Sequence, residues 1–150
     1  MQPEARAMNV KSILDIKGRA VDTIAADASL ADAAHMLADK RIGAVVVTGT
    51  GYGVAGILSE RDIVRQVSER GAAALDRTVG ETMTTKVVTC TEADSIGQLM
   101  ERMTSGKFRH LPVVEGGRLV GIVSIGDVVK WRLAEIESEH EALKGYIMNS

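Results

Sequence analysis

Two short motifs that pair a hydroxyl with a carboxylate are the strongest candidates for chemistry in this sequence. Ser59 and Asp62 form one Ser-x-x-Asp motif, and Ser124 and Asp127 form a second one 65 residues later. Ser and Asp at this spacing are typical of a helix start, where the Ser oxygen caps a backbone N–H and the helix dipole favours the carboxylate. Just past the end of a strand, the same groups could hold the vicinal hydroxyls of a ribose. Both interpretations can hold together, because capping leaves an Asp oxygen for a ligand.

The motifs belong to a longer internal repeat. The stretch 56–62 corresponds to 121–127, and the apolar pattern that begins at Ser29 corresponds, 66 residues later, to the pattern that begins at Ser95. A unit of about sixty residues is therefore present twice. Because a domain of that size buries only about 60 % of its surface, we expect the two copies to share one core.

The elements that position the motifs follow from periodicity. Each repeat is predicted to contain a strand, a helix, two strands joined by a turn, and a second helix. The helices that Ser29 and Ser95 open have one apolar face, and a capping partner stands three residues on, at Asp32 and Gln98. Short β-branched runs such as 45–47 indicate buried strands. The sequence therefore predicts an α/β (α+β) fold with a β-α-β-β-α order in each repeat.

The repeats set the expected domain boundaries. The first repeat spans 8–70, a linker 71–77 and the second repeat 78–133, and a short helical lead-in precedes the first strand of each repeat. Residues 134–150 continue as a charged segment with apolar residues at helical spacing. We expect a terminal helix there, which either contributes to dimer contacts or is solvated.

Composition excludes several classes of protein. Hydrophobic residues make up 45 % and charged residues 25 % of the chain, as in soluble globular proteins. We find no signal-peptide core and no run long enough to cross a bilayer, and so expect a cytoplasmic protein without membrane contacts. A net charge of −2 and few aromatic residues argue against nucleic acid as a partner. Cys90, the single cysteine, is expected to be a small core residue rather than a reactive thiol.

Patterns of catalysis are missing from the sequence. We find no paired nucleophile and base, no metal-ligand spacing and no P-loop. The stretch 51–56 matches G-x-G-x-x-G, but the residues after it align with a strand, which favours a hairpin turn over a dinucleotide loop. His35 and His140 are expected in surface or capping positions. The sequence therefore predicts a binding module rather than an enzyme, with no catalytic residue and no metal.

The repeats resemble a known family. The first resembles a CBS (cystathionine β-synthase) domain through Val21-x-Thr23, the capped helix, 43–47 and 56–62, and the second through 87–89, 109–113 and 121–127. The resemblance covers about residues 10 to 133. It implies a tandem CBS pair of the stand-alone, two-repeat type, whose β-α-β-β-α units pack through their sheets with pseudo-two-fold symmetry and leave two clefts.

The resemblance also implies ligands and the residues that bind them. CBS pairs bind adenosine-containing molecules, here AMP as the first expectation, with ATP, NAD(H), ADP or S-adenosylmethionine as alternatives. Ser59 with Asp62, and Ser124 with Asp127, would bind ribose, while the backbone around Thr23 and Thr89 would read the adenine edge. The full set of implied ligand-binding residues is Thr23, Gly43, Ala44, Ser59, Arg61, Asp62, Lys86, Thr89, Arg109, His110, Leu111, Pro112, Ser124 and Asp127.

The basic residues predict that the two clefts differ. Arg109 is the best candidate for phosphate because a guanidinium can bind it through two hydrogen bonds. Lys17 and Lys86 fit a phosphate or a solvated surface equally well, and His110 is either a pH-sensitive phosphate neighbour or a neutral packed group. Gly43 stands where the second repeat has Arg109. We therefore expect the Asp127 cleft to bind phosphate better.

Three functions remain open at this point. The first is a regulatory module that senses energy or redox state through an adenine nucleotide and acts, as a homodimer, on a partner protein in trans. The second is a protein-interaction scaffold with the same fold and no ligand. The third is an enzyme that uses NAD, which only the glycine string at 51–56 suggests.

Overall fold

The computed structural model describes residues 8–49 and 53–149. Part of the glycine string at 51–56, where a hairpin turn is expected, therefore lies outside the described residues. Strand β3 (Val54–Ser59) begins inside that string and continues past its last residue, so the string leads into a strand and not into a helix. Among the described residues, no helix has the length and the apolar character needed to span a bilayer.

The predicted mixture of helices and small sheets is confirmed. The helices are α1 (Val10–Lys17), α2 (Leu30–Lys40), α3 (Glu60–Arg70), α4 (Val79–Thr82), α5 (Ile96–Gly106) and α6 (Ile125–Asn149), with a 3₁₀ helix at Gly71–Asp76 in the expected linker. The strands are β1 (Thr23–Ala25), β2 (Ala44–Thr48), β3 (Val54–Ser59), β4 (His110–Glu115) and β5 (Arg118–Ser124).

The first repeat contains a three-stranded sheet. Its central strand, β2, is parallel to β1 and antiparallel to β3. The apolar residues of β2 are all buried, which agrees with the β-branched run in the sequence. The register pairs Ala44 with Ser59, so the end of β3 lies beside the start of β2.

The second repeat differs in its first strand. β4 and β5 form a hairpin, but the strand expected at 87–90 is absent except for one parallel bridge between Cys90 and Val113. The Cys90 N–H donates to the Pro112 carbonyl at 3.0 Å. The next ladder bond would need the N–H of residue 112, and proline has none, so the ladder ends there. Cys90 itself is 2 % exposed, which confirms its predicted place in the core.

The described residues form two compact units that are not contiguous in sequence. One unit contains 8–19, 89–113 and 121–149, and the other contains 20–88 and 114–120. The lead-in helix of each repeat therefore lies in the unit of the other repeat. In the first unit the Val10 N–H donates to Asp94 O at 2.9 Å, and in the second the Val79 N–H donates to Ala28 O at 2.8 Å.

Two glycines allow each lead-in segment to lie against a strand. A Cβ added at Gly121 in β5 would be 2.8 Å from Leu14 Cδ1 of α1. A Cβ added at Gly56 in β3 would be 2.8 Å from Thr84 O, just after α4. Because a real Cβ is almost never this close to another atom, only glycine fits these positions without a shift. Each glycine lies three residues before the Ser of a Ser-x-x-Asp motif.

The terminal segment belongs to one long helix. α6 continues for 25 residues from the end of β5 to Asn149. Val128 and Glu135 on it are buried, whereas Leu133, Ile136 and Leu143 are exposed. The helix therefore packs on its unit along one face and carries apolar residues on another.

Candidate functional site

Ser59 and Asp62 form a closed hydrogen-bonded turn where β3 ends and α3 begins. The Asp62 N–H donates to Ser59 Oγ at 3.3 Å, so Ser59 caps the helix as predicted. In return, the Ser59 N–H and hydroxyl donate to Asp62 Oδ2 at 2.9 and 3.1 Å. Asp62 is only 9 % exposed. Two of these three bonds end on the carboxylate and give it one fixed orientation, which is what a ligand-binding group needs.

Ser124 and Asp127 repeat this geometry where β5 ends and α6 begins. The Asp127 N–H donates to Ser124 Oγ at 3.1 Å, and the Ser124 N–H and hydroxyl donate to Asp127 Oδ2 at 2.9 and 3.0 Å. We call each of these arrangements a Ser–Asp cradle. The two cradles confirm the capping interpretation of both motifs.

A second pair of equivalent residues fixes each cradle to the neighbouring strand. The Gly43 carbonyl accepts the N–H of Glu60 at 3.0 Å, and the Arg109 carbonyl accepts the N–H of Ile125 at 2.8 Å. Glu60 and Ile125 are the residues directly after the capping serines. The structure therefore brings Gly43 and Ala44 beside Asp62's cradle, and Arg109 beside Asp127's cradle, as the repeat alignment predicts.

Lys17 is a residue of the second cradle that the set of implied ligand-binding residues omits. Its Nζ lies 2.5 Å from Asp127 Oδ2 and 3.0 Å from the Ile122 carbonyl. The side chains of Lys17 and Asp127 are 35 % and 23 % exposed. Lys17 is the last residue of α1, and the contact of Gly121 with Leu14 sets how closely that helix approaches β5.

The pKa of the Asp127 carboxyl is subject to opposing influences. Burial, the largest of them, raises the pKa of Asp127, and the hydrogen bonds from Lys17 and Ser124 lower it. The hydrogen bonds prevail together, so the pKa of Asp127 lies below its usual value. Asp127 is consequently an anion at neutral pH.

The first cradle has a different cation. Lys86 occupies the position in the second lead-in segment that Lys17 occupies in the first. The two lysines are 69 residues apart, and so are Asn9 and Thr78, the N-caps of the two lead-in helices. Lys86 is exposed, and within the described residues it forms no ion pair with Asp62. The cation nearest that carboxylate is Arg65, whose Nη1 is 3.8 Å from Asp62 Oδ1. The two cradles therefore share a backbone design and differ in charge.

One carboxylate oxygen of each cradle remains for other donors. The serine bonds in both cradles, and the Lys17 bond in the second, all involve Oδ2. In the described part of the chain, Asp127 Oδ1 accepts no hydrogen bond from protein. A carboxylate oxygen can accept from a hydroxyl donor without breaking the cap.

The other expected site residues are of two kinds. Leu111 and Pro112 are buried in β4, where their side chains support the strand, and His110 at its start is half-buried. The remaining ones are exposed, namely Thr23 at the start of β1, Arg61 in a shallow groove along α3, and Lys86, Thr89 and Arg109. Among the described residues, no group of three or more His, Cys, Asp or Glu side chains could hold a metal ion.

Comparison with known proteins agrees with this geometry. The sequence model of the CBS domain family matches residues 13–69 and 79–134. The mitochondrial CBS domain-containing protein CBSX3 of Arabidopsis thaliana is 32 % identical over 92 % of this chain and 71 % of its own length. The crystal structure of the CBS-domain protein ATU1752 from Agrobacterium tumefaciens is 50 % identical, with a TM-score of 0.82, and the match covers 88 % of this chain and 98 % of that one.

A second similar structure contains ligands. The CBS domain pair of protein MJ0100, in complex with 5′-methylthioadenosine and S-adenosyl-L-methionine, matches 86 % of this chain and 98 % of its own with a TM-score of 0.76. Its sequence is 24 % identical. At that identity the likeness concerns the fold.

Proposed function

Because the chain belongs to the CBS domain family and carries two CBS domains, we propose that it is a regulatory module that binds adenosine-containing nucleotides. The observation that carries the proposal is the pair of Ser–Asp cradles, each with a fixed carboxylate at a strand end. The adenosine-type ligands in the CBS pair of MJ0100 support the same ligand class. AMP is the first expectation, with ATP and NAD(H) as alternatives.

The ribose hydroxyls would donate to the Oδ1 atoms of Asp62 and Asp127, of which Asp62 Oδ1 also lies 3.8 Å from Arg65 Nη1. A charge-assisted hydrogen bond of this kind contributes about 1.5–3 kcal/mol, which corresponds to roughly tenfold to a hundredfold in affinity. Since the serines already hold both carboxylates in place, binding does not need to order them again. Thr23 and Thr89 remain the candidates for the adenine edge.

The phosphate would favour the second cradle. Lys17 is already at Asp127, and Arg109 is exposed beside the same cradle. The N-terminus of the long helix α6 begins at this point, and its partial positive charge also attracts an anion. The first cradle has Gly43 in place of Arg109, so it should bind phosphate more weakly. Arg61 and Lys86 are its candidate cations.

Regulation would follow from linkage. A nucleotide that prefers one arrangement of the protein shifts the equilibrium toward it by no more than its differential affinity, and a partner that binds the same arrangement responds. We propose that the partner is a separate protein, that the module acts as a homodimer in the cytoplasm, and that adenine nucleotides report the energy or redox state. In this role the chain binds and does not catalyse.

One observation favours a second candidate function. Lys17 of the same chain pairs with Asp127. A cradle that is satisfied by its own chain could belong to a ligand-free interaction scaffold, in which both Asp residues only start helices.

Isothermal titration calorimetry of nucleotide-stripped protein tests the choice. The titrants are AMP, ATP, NAD, NADH and S-adenosylmethionine, with GMP as the control. Saturable binding of an adenine ligand without GMP binding supports the nucleotide module, and the stoichiometry counts the working cradles. If every titrant gave only its heat of dilution, the result would favour the ligand-free interaction scaffold.

A further inference from the structure

The terminal helix α6 carries an apolar stripe that its own unit does not cover. Val129, Leu133, Ile136 and Leu143 are 41 %, 56 %, 45 % and 59 % exposed. The spacing continues to Ile147, which is 62 % exposed. The buried residues Val128 and Glu135 lie on another face of the helix, and no described side chain from 136 to 147 is buried.

The spacing of the stripe is that of a coiled coil. With His140 included, the positions are 129, 133, 136, 140, 143 and 147, so that steps of four and three residues alternate. This is the a/d pattern of a heptad repeat, whose 3.5-residue period brings two helices together along one seam. Leu133, His140 and Ile147 take a positions, and Val129, Ile136 and Leu143 take d positions.

We propose that α6 pairs in parallel with α6 of a second copy of this chain. The residues beside the stripe carry the choice of partner, because in a parallel pair a g position faces the e position five residues later on the other helix. Arg132 would thus face Glu137 of the second copy, and Glu139 would face Lys144 of the second copy. Both contacts join opposite charges, and the two-fold symmetry makes each of them twice.

The antiparallel arrangement is disfavoured by the same residues. If the whole stripe aligned in that direction, Glu137 would face Glu137 of the second copy and Lys130 would face Lys144 of the second copy. Like charges in these positions oppose association. The charge pattern therefore selects the parallel pair.

Two further features fit a helix pair between copies. His140 places one polar residue in the seam, and a single polar a position fixes register at some cost in stability. The stripe covers only two to three heptads, but α6 is already a helix because its first half packs on its own unit. Association therefore does not have to nucleate the helix.

A membrane surface is a poorer fit for this stripe. Residues 129–147 contain four glutamates against three lysine and arginine residues. Helices that lie in a membrane interface usually have a polar face rich in Lys and Arg, which attracts anionic lipids.

Cysteine cross-linking tests the pairing and its direction. In a parallel pair the two Leu143 side chains meet in the seam, so the Leu143→Cys variant should form a disulfide-linked dimer on mild oxidation. The matched control is Glu141→Cys, which places the same thiol on the outer side of the same helix. The native Cys90 is 2 % exposed and should not interfere. Equal cross-linking of both variants, or of neither, would overturn the proposal.

Light scattering after gel filtration tests the contribution of the stripe. We expect wild-type dimer at micromolar concentration, and a dissociation constant at least about tenfold higher for Leu143→Glu. The control is Val64→Glu, which changes an equally exposed valine on α3, 66 % exposed, and should leave the dimer intact. A monomeric wild type, or a dimer that only Val64→Glu disrupts, would contradict the pairing.

A charge exchange tests the flanking contacts. Glu139→Lys should weaken the dimer because two lysines then face each other, and the double variant Glu139→Lys, Lys144→Glu should restore it. Absence of restoration would exclude the parallel register. The α6 pair rests on the homodimer of the proposed function. Failure of the pairing and failure of nucleotide binding are distinguishable, because the Leu143→Glu monomer can still be titrated with AMP.

Discussion

Lys17 Nζ contacts Asp127 Oδ2 at 2.5 Å, although the two residues are 110 positions apart in the sequence. The contact exists because α1, which precedes the first repeat, lies in the unit that contains the second Ser–Asp cradle. The same lysine also donates to the Ile122 carbonyl in β5. The cation, the strand and the cradle therefore form one arrangement, in which a candidate ribose-binding carboxylate has a fixed position and a fixed charge.

The role of Lys17 can be separated from that of Asp127 by comparing two ligands. Lys17→Met should weaken the binding of AMP by about tenfold and change that of adenosine much less, because only AMP carries the phosphate that the ammonium group attracts. Lys11→Met is the matched control, since Lys11 lies on the same helix in an exposed pair with Asp15. Calorimetry that shows equal losses for AMP and adenosine would limit Lys17 to holding Asp127.

The Asp127 carboxylate should contribute directly to nucleotide affinity. Asp127→Ala should weaken AMP binding by roughly tenfold to a hundredfold, the effect of losing a charge-assisted hydrogen bond. Asp32→Ala is a close control, because Ser29 and Asp32 form another Ser-x-x-Asp helix start away from the cradles. Unchanged affinity of the Asp127 variant in calorimetry would remove this residue from the site.

The ion pair of Lys17 with Asp127 should give stability that depends on pH. The pKa of Asp127 is lowered in the folded protein from a reference value of 3.8. A lowered carboxyl pKa stabilises the fold above the unfolded pKa, and this stabilisation is lost as the pH falls through the folded pKa. The difference in unfolding free energy between wild type and Lys17→Met should therefore be constant from about pH 5 to pH 8 and shrink below about pH 4.

Urea unfolding at several pH values measures that difference. Lys40→Met breaks a more exposed pair with Asp22, so its effect should be smaller. A difference for Lys17→Met that grows in acid would contradict the assigned shift.

The glycines beneath the lead-in segments should respond differently to alanine. Gly56→Ala places a Cβ against the Thr84 carbonyl. That carbonyl accepts the Ile57 N–H, and the Thr84 N–H donates to the Ile57 carbonyl, so this backbone cannot move easily and we expect the protein to lose about 1–3 kcal/mol of stability or more. The Cβ added by Gly121→Ala would contact the Leu14 side chain, which can move. The loss of stability should therefore be smaller for this variant.

Chemical denaturation can rank these variants against a third. Gly97 is the second residue of α5, where an added Cβ has ample space, and Gly97→Ala should stabilise the protein by up to about 0.5–1 kcal/mol. If Gly56→Ala were as stable as wild type, the close approach of the segment after α4 would be wrong.

Much of this arrangement is readable from the sequence because its signals are local. The repeat, the amphipathic helices and the capping motifs each depend on residues a few positions apart, and the structure places them as predicted. The first strand of the second repeat is the exception. Pro112 removes the donor that the ladder needs, and this effect depends on a register between distant segments, which β propensity at 87–90 does not include.

The role of Lys17 is also a consequence of distant packing. Its position at the end of a short helix fits a solvated cation as well as a site residue. One signal in the sequence could have identified Lys17. The lead-in residue Leu14 packs at Gly121 in one unit, and the equivalent residue Met83 packs at the equivalent Gly56 in the other. Lys17 lies at the second cradle only because the lead-in segment of each repeat packs in the unit of the other repeat.

The ribose contact is the central claim, and a comparison of AMP with 2′,3′-dideoxy-AMP tests it most directly. Calorimetry on wild type and on the double variant Asp62→Ala, Asp127→Ala separates the hydroxyl contribution from those of base and phosphate. We predict that wild type binds AMP at least about tenfold more tightly than the dideoxy analogue, and that the double variant binds both equally. Equal affinity of wild type for the two ligands would contradict ribose binding by the cradles.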